Sequence, residues 1–300
     1  MAAIEVQDLV KAYGDRTAVD GVDLEVEQGE IVAFLGPNGA GKTTTIEILE
    51  GYRSRTSGEV SVLGVDPAKA PRSWRERIGI VLQESEPVPE LTALESITMQ
   101  SHYYEAPRHP QDILELVGLT DSADQRTRKL SGGQKRRLDL ALALVGDPEL
   151  IFLDEPTTGF DPSARREAWE MIETLRDLGR TVLLTTHYMD EAEYLADRIS
   201  VIVDGTIVAT GTAQELADQV KAKPRIAWRH DPAAPRPPGN LDIILDGPWA
   251  AVETPEVVAV VNGLTSWALS QRVALEDLSI TYPTLEDVYL RLTDPERSNR

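Results

Sequence analysis

A glycine-rich segment with a lysine and a threonine at its end occupies residues 36–43, which read GPNGAGKT. The spacing G-x-x-x-x-G-K-T predicts a loop that binds phosphate, because its glycines let successive backbone N–H groups turn inward around an anion. The helix expected after it adds a positive end to the same place. Lys42 should reach the β- and γ-phosphates of a nucleotide, the Thr43 hydroxyl should bind Mg²⁺, and Thr44 should lie near the α-phosphate. The candidate nucleotide-binding residues of this loop are Gly36, Asn38, Gly39, Gly41, Lys42, Thr43 and Thr44.

A second, acidic motif reads LIFLDEP and covers residues 150–156. Its apolar run predicts a buried strand that ends in Asp154, which would hold Mg²⁺ or a water bound to it. Glu155 follows directly and would orient and polarise an attacking water. The alternative is an exposed turn at the strand end, since Asp-Glu-Pro also suits a turn. Burying two adjacent carboxylates at the end of a strand is costly without a cation. The phosphate loop in the same chain also favours the metal-binding interpretation, because a bound nucleotide would bring Mg²⁺.

A third motif, LSGGQ, occupies residues 130–134 and precedes the acidic motif by about twenty residues. Ser131 is expected to cap a helix, and the N–H groups at the start of that helix would form an anion site. On its own, a Ser-Gly-Gly run could also be a flexible linker. A phosphate loop alone does not distinguish ATPases, GTPases and kinases. The order and spacing of the three motifs reduce the number of protein classes that fit.

With these motifs in this order, the chain resembles the ATP-binding-cassette (ABC) family, whose diagnostic peptide is LSGGQ. The resemblance covers residues 4 to about 215. It implies an ATPase whose cofactors are ATP and Mg²⁺ and which works as a homodimer around two nucleotides. It also implies that the LSGGQ segment of one subunit caps the γ-phosphate bound to the Lys42 loop of the other. The residues assigned to this cap are Ser131, Gly132, Gly133 and Gln134.

Four further residues match positions of the family. Tyr13 resembles the aromatic residue that stacks on adenine, and it lies in the segment VKAYGDRTAVDGVDLEV. Gln83 resembles the glutamine that senses Mg²⁺ and the attacking water, and His187, in LLTTHYMDEAE, resembles the histidine that contacts the γ-phosphate. Asp161 resembles the aspartate that crosses the dimer interface, although phenylalanine precedes it here where the family usually has leucine. An ordinary strand-end tyrosine is the alternative for Tyr13, and a strand-end histidine taken alone is more often structural. The candidate catalytic residues are Glu155, His187 and Gln83, and the candidate metal ligands are Thr43, Gln83 and Asp154.

The three motifs need a common sheet that brings their loops together. Short apolar runs, typical of strands buried on both faces, occur at residues 31–35, 78–82, 150–153 and 181–185. Alternating apolar and polar residues predict half-exposed strands near the N-terminus, at residues 4–6 and 22–26. The predicted fold class is therefore α/β. The resemblance implies a P-loop NTPase cassette with a parallel core sheet, an antiparallel N-terminal subdomain and a helical subdomain at about 85–145.

Composition changes near residue 221, which predicts one domain at 1–220 and a small α+β extension at 221–300. Lys223–Asn240 holds most of the proline-rich stretch APRPPGN and is not expected to form a regular element. Beyond it, the pattern predicts strand, strand, helix, strand and a final helix, at 241–245, 250–253, 257–269, 273–280 and 284–292. This extension either packs near the dimer and regulates its closure or is a passive addition to the fold.

The composition bears on partners and location. The chain of 300 residues has a formal charge of −20 and no cysteine, so disulfides and thiolate metal sites are excluded. Nucleic acid is not an expected partner, because its binding depends on basic surfaces. No apolar run approaches the roughly 20 residues that span a bilayer, and the N-terminus lacks a signal-peptide core. We expect a cytoplasmic protein, peripheral on the inner face of the cell membrane, that reaches the membrane through a partner.

Four segments resemble the drug-export branch of the family typified by daunorubicin-resistance transporters: SGGQKRRLDLALALVGDPEL, TTGFDP, TTHYMDEAE and PTLEDVYLRLT. This branch implies export of a drug-like or amphipathic small molecule through a separate integral-membrane permease of the ABC-2 type. Sugar, polysaccharide and lipid exporters share much of the pattern. A soluble ABC ATPase acting on ribosomes or DNA is an alternative, but tandem cassettes and basic segments are missing. A regulatory module with little turnover is another, and Glu155 and His187 argue against it.

Overall fold

The computed structural model describes residues 1–82, 87–230, 235, 237 and 241–293. The chain divides into two compact units, Met1–Ala213 and Gln214–Arg300. The strands of the first unit are β1 (Ala2–Tyr13), β2 (Arg16–Glu27), β3 (Ile31–Leu35), β4 (Ser57–Val62), β5 (Ile78–Val81), β6 (Leu150–Asp154), β7 (Thr181–Thr186), β8 (Arg198–Val203) and β9 (Thr206–Gly211). Its helices are α1 (Lys42–Leu49), α2 (Arg72–Arg75), α3 (Ala93–Ser101), α4 (Pro110–Leu116), α5 (Gly132–Leu144), α6 (Pro162–Asp177) and α7 (Met189–Leu195), and α8 (Ala213–Gln219) begins at its last residue.

The core of the first unit is a mixed sheet with the strand order β5-β6-β7-β3-β8-β9. β5, β6, β7, β3 and β8 run parallel, and β9 pairs antiparallel with β8 at the edge. Every residue of β3, β6 and β7 is buried, as expected for strands covered on both faces. The predicted parallel core is therefore confirmed, and the carboxyl ends of β3, β6 and β7 meet at one edge of the sheet.

A second sheet of the first unit is antiparallel, with the order β2-β1-β4. The alternating segments near the N-terminus do form strands, but β1 and β2 are each 12 residues long and exceed the predicted runs. Apolar side chains of this sheet pack in one buried cluster with α1 and with Phe34, Phe152 and Leu183 of the core sheet. The antiparallel sheet and the core sheet therefore share a hydrophobic core, which fixes the end of β1 beside the loop after β3.

The segment between β5 and β6 is helical where it is described, with α3, α4 and α5 as its helices. α5 begins with a capping box: Ser131 Oγ accepts a hydrogen bond from the Gln134 backbone, and the Gln134 side chain accepts one from the Ser131 backbone. The predicted N-cap at Ser131 is confirmed. Such a cap satisfies two backbone N–H groups that the helix itself leaves without a partner.

The second unit contains an antiparallel sheet with the order β11-β12-β10-β13. Its strands are β10 (Arg225–Arg229), β11 (Ile244–Asp246), β12 (Trp249–Glu253) and β13 (Ser279–Thr281), and its helices are α9 (Val257–Gln271) and α10 (Leu285–Thr293). Ile226 and Trp228 of β10 and Val252 of β12 form its core with Leu264 of α9. In the part of the chain that is described, no helix combines the length and apolarity needed to cross a membrane.

One sequence prediction for the second unit was wrong. Lys223–Asn240 was expected to lack regular structure, yet β10 lies inside it and pairs with both β12 and β13. The prolines of this stretch flank the strand and do not interrupt it, and Arg225–Arg229 alternates exposed and buried residues. Alternation over five residues between two prolines is a sufficient strand signal, but the prolines outweighed it. The strand expected over 273–280 is also shorter, since β13 covers only Ser279–Thr281.

Candidate nucleotide-binding site

Three chain segments leave the same edge of the core sheet and form the site. The glycine loop follows β3, Asp154 and Glu155 lie at the end of β6, and His187 follows β7. The register places Leu35 opposite Thr186 and Asp154 opposite Thr185. Parallel pairing therefore brings together the phosphate loop, the acidic pair and the histidine, which are far apart in the sequence.

The glycine loop is tightly enclosed at two of its glycines. Gly41 has a φ of 107°, and a Cβ added there would lie 2.5 Å from the Ala18 carbonyl oxygen. A Cβ at Gly36 would collide with the backbone of Ile202. Only glycine fits these positions, because one requires a left-handed backbone and both approach neighbouring main chain. The cradle is thus shaped by sterics before any ligand arrives.

Lys42 is held inside this loop and is only 4% exposed. Its Nζ donates hydrogen bonds to the carbonyl oxygens of Gly36 at 2.7 Å and Pro37 at 3.2 Å. Burial lowers the pKa of Lys42, and the Glu155 carboxylate, whose Oε1 lies 3.5 Å from Nζ, opposes that shift. The loop therefore positions a cation at its centre, beside the backbone groups expected to bind phosphate.

The acidic pair is organised by Thr185 of β7. The Thr185 hydroxyl donates to Asp154 Oδ1 and accepts from the Glu155 backbone N–H at 3.0 Å. Burial raises the pKa of Asp154, and the hydrogen bond from Thr185 opposes that effect. Glu155 adopts a left-handed backbone with a φ of 46°, a conformation that costs a non-glycine residue about 1–3 kcal/mol and persists only where the surrounding structure holds it.

The Glu155 side chain is 10% exposed and has polar neighbours on several sides. Thr158 donates a hydrogen bond to its Oε2 at 3.0 Å, while Lys42 lies near its Oε1. His187 Nδ1 lies 3.4 Å from the same Oε1, yet this buried atom makes no hydrogen bond within the described part of the chain. A buried nitrogen in this state is a candidate for contact with a ligand.

A cleft of about 740 Å³ opens above these groups. This volume lies within the roughly 300–1,000 Å³ of typical ligand sites. The residues lining the cleft are Tyr13, Arg16, Ala18, Asn38, Gly39, Gly41, Lys42, Thr43, Thr44, Glu155, Thr158 and His187. Tyr13 is 42% exposed at the cleft, and its ring is approached by Lys11 Nζ at 4.9 Å and Arg53 Cζ at 5.5 Å. An exposed aromatic face beside a phosphate loop suits an adenine base.

The donor atoms also fit Mg²⁺. Thr43 contributes a hydroxyl to the cleft, and Asp154 contributes a carboxylate that is buried next to Lys42 and Glu155. Hydroxyl and carboxylate oxygens are the ligands that this hard cation prefers. Within the described residues no cluster of three or more metal-binding side chains exists, so phosphate oxygens would have to complete the coordination.

Within the LSGGQ motif, Leu130 is buried, and the three residues that follow it lie at the surface of the same unit. A Cβ at Gly132 or Gly133 would meet no atom within 4 Å, and Ser131 is exposed. The Gln134 side chain is fixed by a hydrogen bond, which its Nε2 donates to Ser122 Oγ at 2.9 Å. These residues are not among those lining the Lys42 cleft. The chain therefore presents two separate candidate anion-binding features.

Two other predicted residues need separate comment. Asp161 is the N-cap of α6, and its Oδ1 accepts hydrogen bonds from the backbones of Ser163 at 2.9 Å and Ala164 at 3.0 Å. Its carboxylate therefore has a local structural role that the sequence comparison did not indicate. Gln83 lies outside the described residues.

Sequence reasoning missed two residues that organise the site. Thr185 connects Asp154 to the Glu155 backbone, and Thr158 holds the Glu155 side chain. A usable signal for Thr185 was present, since two consecutive threonines follow the apolar run VLL in the strand TVLLTT. A buried hydroxyl needs a partner, and the neighbouring strand ends in an acid.

A buried carboxyl beneath the site makes stability depend on pH. Glu50 follows α1 and is 5% exposed. Burial, together with the negative charges of Asp154 and Glu47, raises the pKa of Glu50 to about 8, from an ordinary value of 4.5. Between these values the unfolded chain has released the proton while the folded chain retains it. The contribution of Glu50 to stability is therefore present below about pH 4.5 and is lost as pH rises towards 8.

Replacing Glu50 by glutamine should raise the free energy of unfolding at pH 8, because the amide carries no charge at any pH. One pKa unit corresponds to about 1.36 kcal/mol, so we expect a gain of roughly 1–4 kcal/mol. The gain should shrink towards zero near pH 4.5. Urea unfolding of the nucleotide-free protein at several pH values measures it. Glu115→Gln, at an exposed position of α4, is the control and should leave the pH dependence unchanged.

The central parallel strand, the glycine loop and the acidic pair define a P-loop nucleoside triphosphatase. The sequence model of the family described as ABC transporter matches residues 19–158. The chain is 37% identical over 306 residues to the daunorubicin resistance ATP-binding protein DrrA3 of Streptomyces coeruleorubidus, covering 98% of this chain and 97% of that protein. It is 37% identical over 313 residues to the Nod factor export ATP-binding protein I of Rhizobium etli, covering 99% of this chain and 95% of that protein.

The fold is similar to a solved ATP-binding cassette, the dimeric post-hydrolysis state of MJ0796 bound to ADP and Pi. The TM-score is 0.61 at 27% identity, and the match covers 70% of this chain and 98% of that chain. The chain belongs to the ABC transporter family as an ATP-binding and ATP-hydrolysing subunit. The family resemblance, the fold class and the ATPase activity expected from the sequence are thereby confirmed.

Proposed function

We propose that two copies of this chain close over two MgATP molecules, each held between the Lys42 loop of one copy and the Ser131 helix start of the other. The observation that carries this proposal is the separation of the two anion-binding features within one chain. Gly132 and Gly133 face open space, and a capped helix start with free space around it can accept a phosphate from a second molecule. The similar cassette MJ0796 is a dimer bound to ADP and Pi, which supports the dimeric part of the proposal.

The residues of the cleft have distinct proposed roles. Lys42 binds the β- and γ-phosphates, Tyr13 stacks on adenine, and Thr43 with Asp154 holds Mg²⁺. The metal ion would supply charge neutralisation at the phosphate oxygens. Glu155 orients the attacking water and polarises it, and His187 contacts the γ-phosphate through its otherwise unpaired nitrogen. Closure of the dimer excludes bulk water from this reaction.

The remaining proposed residues act at the edge of the site or across the dimer. Thr44 and the loop residues Gly36, Asn38, Gly39 and Gly41 bind phosphate through the cradle. Gln83 assists Mg²⁺ and the water, and Asp161 lies at the dimer interface while also capping α6. We also propose that residues 1–220 carry the ATPase and that 221–300 form an extension.

We further propose that hydrolysis powers export of a drug-like or amphipathic small molecule through a separate integral-membrane permease of the ABC-2 type. The names of two relatives support this, since one is a daunorubicin resistance ATP-binding protein and the other is a Nod factor export ATP-binding protein. Both match nearly the full length of this chain. The chain would then lie in the cytoplasm, against the inner face of the cell membrane.

Mixing two inactive variants tests the shared site. Lys42→Ala and Ser131→Arg should each abolish most ATP hydrolysis alone, the first by removing the phosphate-binding cation and the second by filling the space at the helix start. In a mixed dimer, one site carries both defects and the other carries neither. We therefore expect equimolar mixing to restore part of the phosphate release.

The control is a mixture of Lys42→Ala with a chain carrying both substitutions, in which no intact shared site can form. If nucleotide sites were complete within one chain, neither mixture would recover activity. Activity of Ser131→Arg alone equal to wild type would also contradict the proposal, because it would remove the helix start from the site.

A further inference from the structure

A buried arginine that has no role assigned so far connects the helix of the LSGGQ motif with the acidic motif at the end of β6. Arg136 of α5 is 8% exposed. Its Nε donates to the Pro156 carbonyl oxygen at 3.0 Å, and its Nη2 donates to the Asp154 carbonyl oxygen at 3.4 Å. Its Nη1 donates to the carbonyl oxygen of Leu82, after β5. One guanidinium thus contacts the ends of β5 and β6 from the helix that begins at Ser131.

This arrangement is costly and geometrically specific. Burial lowers the pKa of Arg136, and the Asp139 carboxylate, whose Oδ2 lies 3.9 Å from Nη1, opposes that shift. Arginine stays charged nonetheless, and its planar fork directs its donors along fixed lines. Three carbonyl acceptors on two chain segments, one after β5 and one at the end of β6, are therefore held at defined positions relative to α5. Lysine, with one flexible ammonium, could not hold all three.

Two of the three carbonyl oxygens that accept from Arg136 belong to Asp154 and Pro156, the residues on either side of Glu155. Glu155 has the left-handed φ of 46°, and such conformations persist only where the surroundings determine them. Thr185 holds the Glu155 N–H from one side, and Arg136 holds the flanking carbonyls from α5. The backbone that aims the Glu155 carboxylate is thus fixed between β7 and α5.

We infer that Arg136 is a positioning residue for hydrolysis: it holds the Asp154–Pro156 backbone so that Glu155 points into the cleft, and it ties this geometry to the helix that carries Ser131. The inference rests on the proposed role of Glu155. Arg136 is not among the residues lining the cleft, so it acts through Glu155 and not on the nucleotide. Its loss should therefore reduce turnover and leave ATP binding intact.

Steady-state ATP hydrolysis by the full-length chain tests this. Arg136→Met removes every donor while keeping most of the volume. A small misplacement of a catalytic group can cost on the order of a hundredfold in rate, and we expect kcat to fall by about 10- to 100-fold. The KM for ATP should stay within about twofold, since the cleft residues are unchanged. Arg136→Lys should give an intermediate kcat. Added ethylguanidinium should raise the kcat of Arg136→Ala, whose short side chain leaves room for it.

Arg180 provides the matched control. It also donates to a backbone carbonyl, that of Pro148 at 3.0 Å, and pairs with Asp147, at the opposite end of β6 from Glu155. Arg180→Met should lower the melting temperature without changing kcat. If Arg136→Met also only lowers the melting temperature, Arg136 is structural and the inference is wrong. The same holds if kcat and KM change together in Arg136→Met and ethylguanidinium does not raise the kcat of Arg136→Ala. Should Arg136→Met fail to fold, the same kcat and KM criteria applied to Arg136→Lys decide.

Failure of the inference can be distinguished from failure of the proposed function. If Glu155→Gln is inactive while Arg136→Met turns over at the wild-type rate, only the positioning role is wrong. If Glu155→Gln turns over normally, the proposed role of Glu155 is wrong, and the inference falls with it.

Discussion

Replacing Glu155 by glutamine is expected to lower the kcat of ATP hydrolysis by roughly 10²–10⁴-fold, the contribution of a well-placed general acid or base. Glutamine keeps the size of the side chain and can still accept the hydrogen bond from Thr158, but it has no charge with which to polarise a water. ATP binding should persist, because the substitution removes a negative charge close to Lys42 without disturbing the glycine loop. The variant should therefore accumulate as an ATP-bound dimer, visible by size-exclusion chromatography.

Glu149→Gln is the matched control for this experiment. Glu149 lies immediately before β6, at the opposite end of the strand, and pairs with Arg77 on the surface. Its substitution should leave kcat unchanged. A Glu155→Gln variant that hydrolyses ATP at the wild-type rate would show that another group activates the water.

Replacing Lys42 by alanine is expected to weaken ATP binding by roughly 10- to 100-fold. A hydrogen bond to a charged group contributes about 1.5–3 kcal/mol, and about 1.4 kcal/mol corresponds to a tenfold change in affinity. The loss also leaves the Glu155 carboxylate without the cation 3.5 Å away, so its repulsion of phosphate increases. Titration with a fluorescent ATP analogue measures the affinity, and phosphate release measures the accompanying loss of turnover.

Lys69→Ala, at an exposed position outside the cleft, should bind ATP as wild type does and controls for the loss of one positive charge. Because Nζ is buried against the loop carbonyls, the effect of Lys42→Ala should depend little on salt concentration. An affinity equal to wild type would show that the backbone cradle alone binds the phosphates.

Several elements could be predicted because their signal is local. β3 covers Ile31–Leu35, as its apolar run indicated. Ser131 is the N-cap of α5, because a serine three residues before a glutamine can form a capping box with it. β10 and the length of β13 were not predicted. β10 has a local signal in its five alternating residues, but the flanking prolines outweighed it. Its pairing with β12 and β13, whose residues are distant in the chain, is seen only in the tertiary structure.

By itself, the sequence determined the class of chemistry. A lysine at the end of a glycine loop, an acidic pair after an apolar run, and LSGGQ depend on residue types at fixed short spacings, and these spacings are read directly from the chain. Only the tertiary structure decided how the site is held. Thr185 bridging Asp154 and Glu155, the histidine nitrogen beside Glu155, the raised pKa of Glu50 and the contacts of Arg136 all depend on strand order and register. Hydrogen bonds and desolvation act between neighbours in space, and the parallel sheet makes neighbours of residues that are far apart in the sequence.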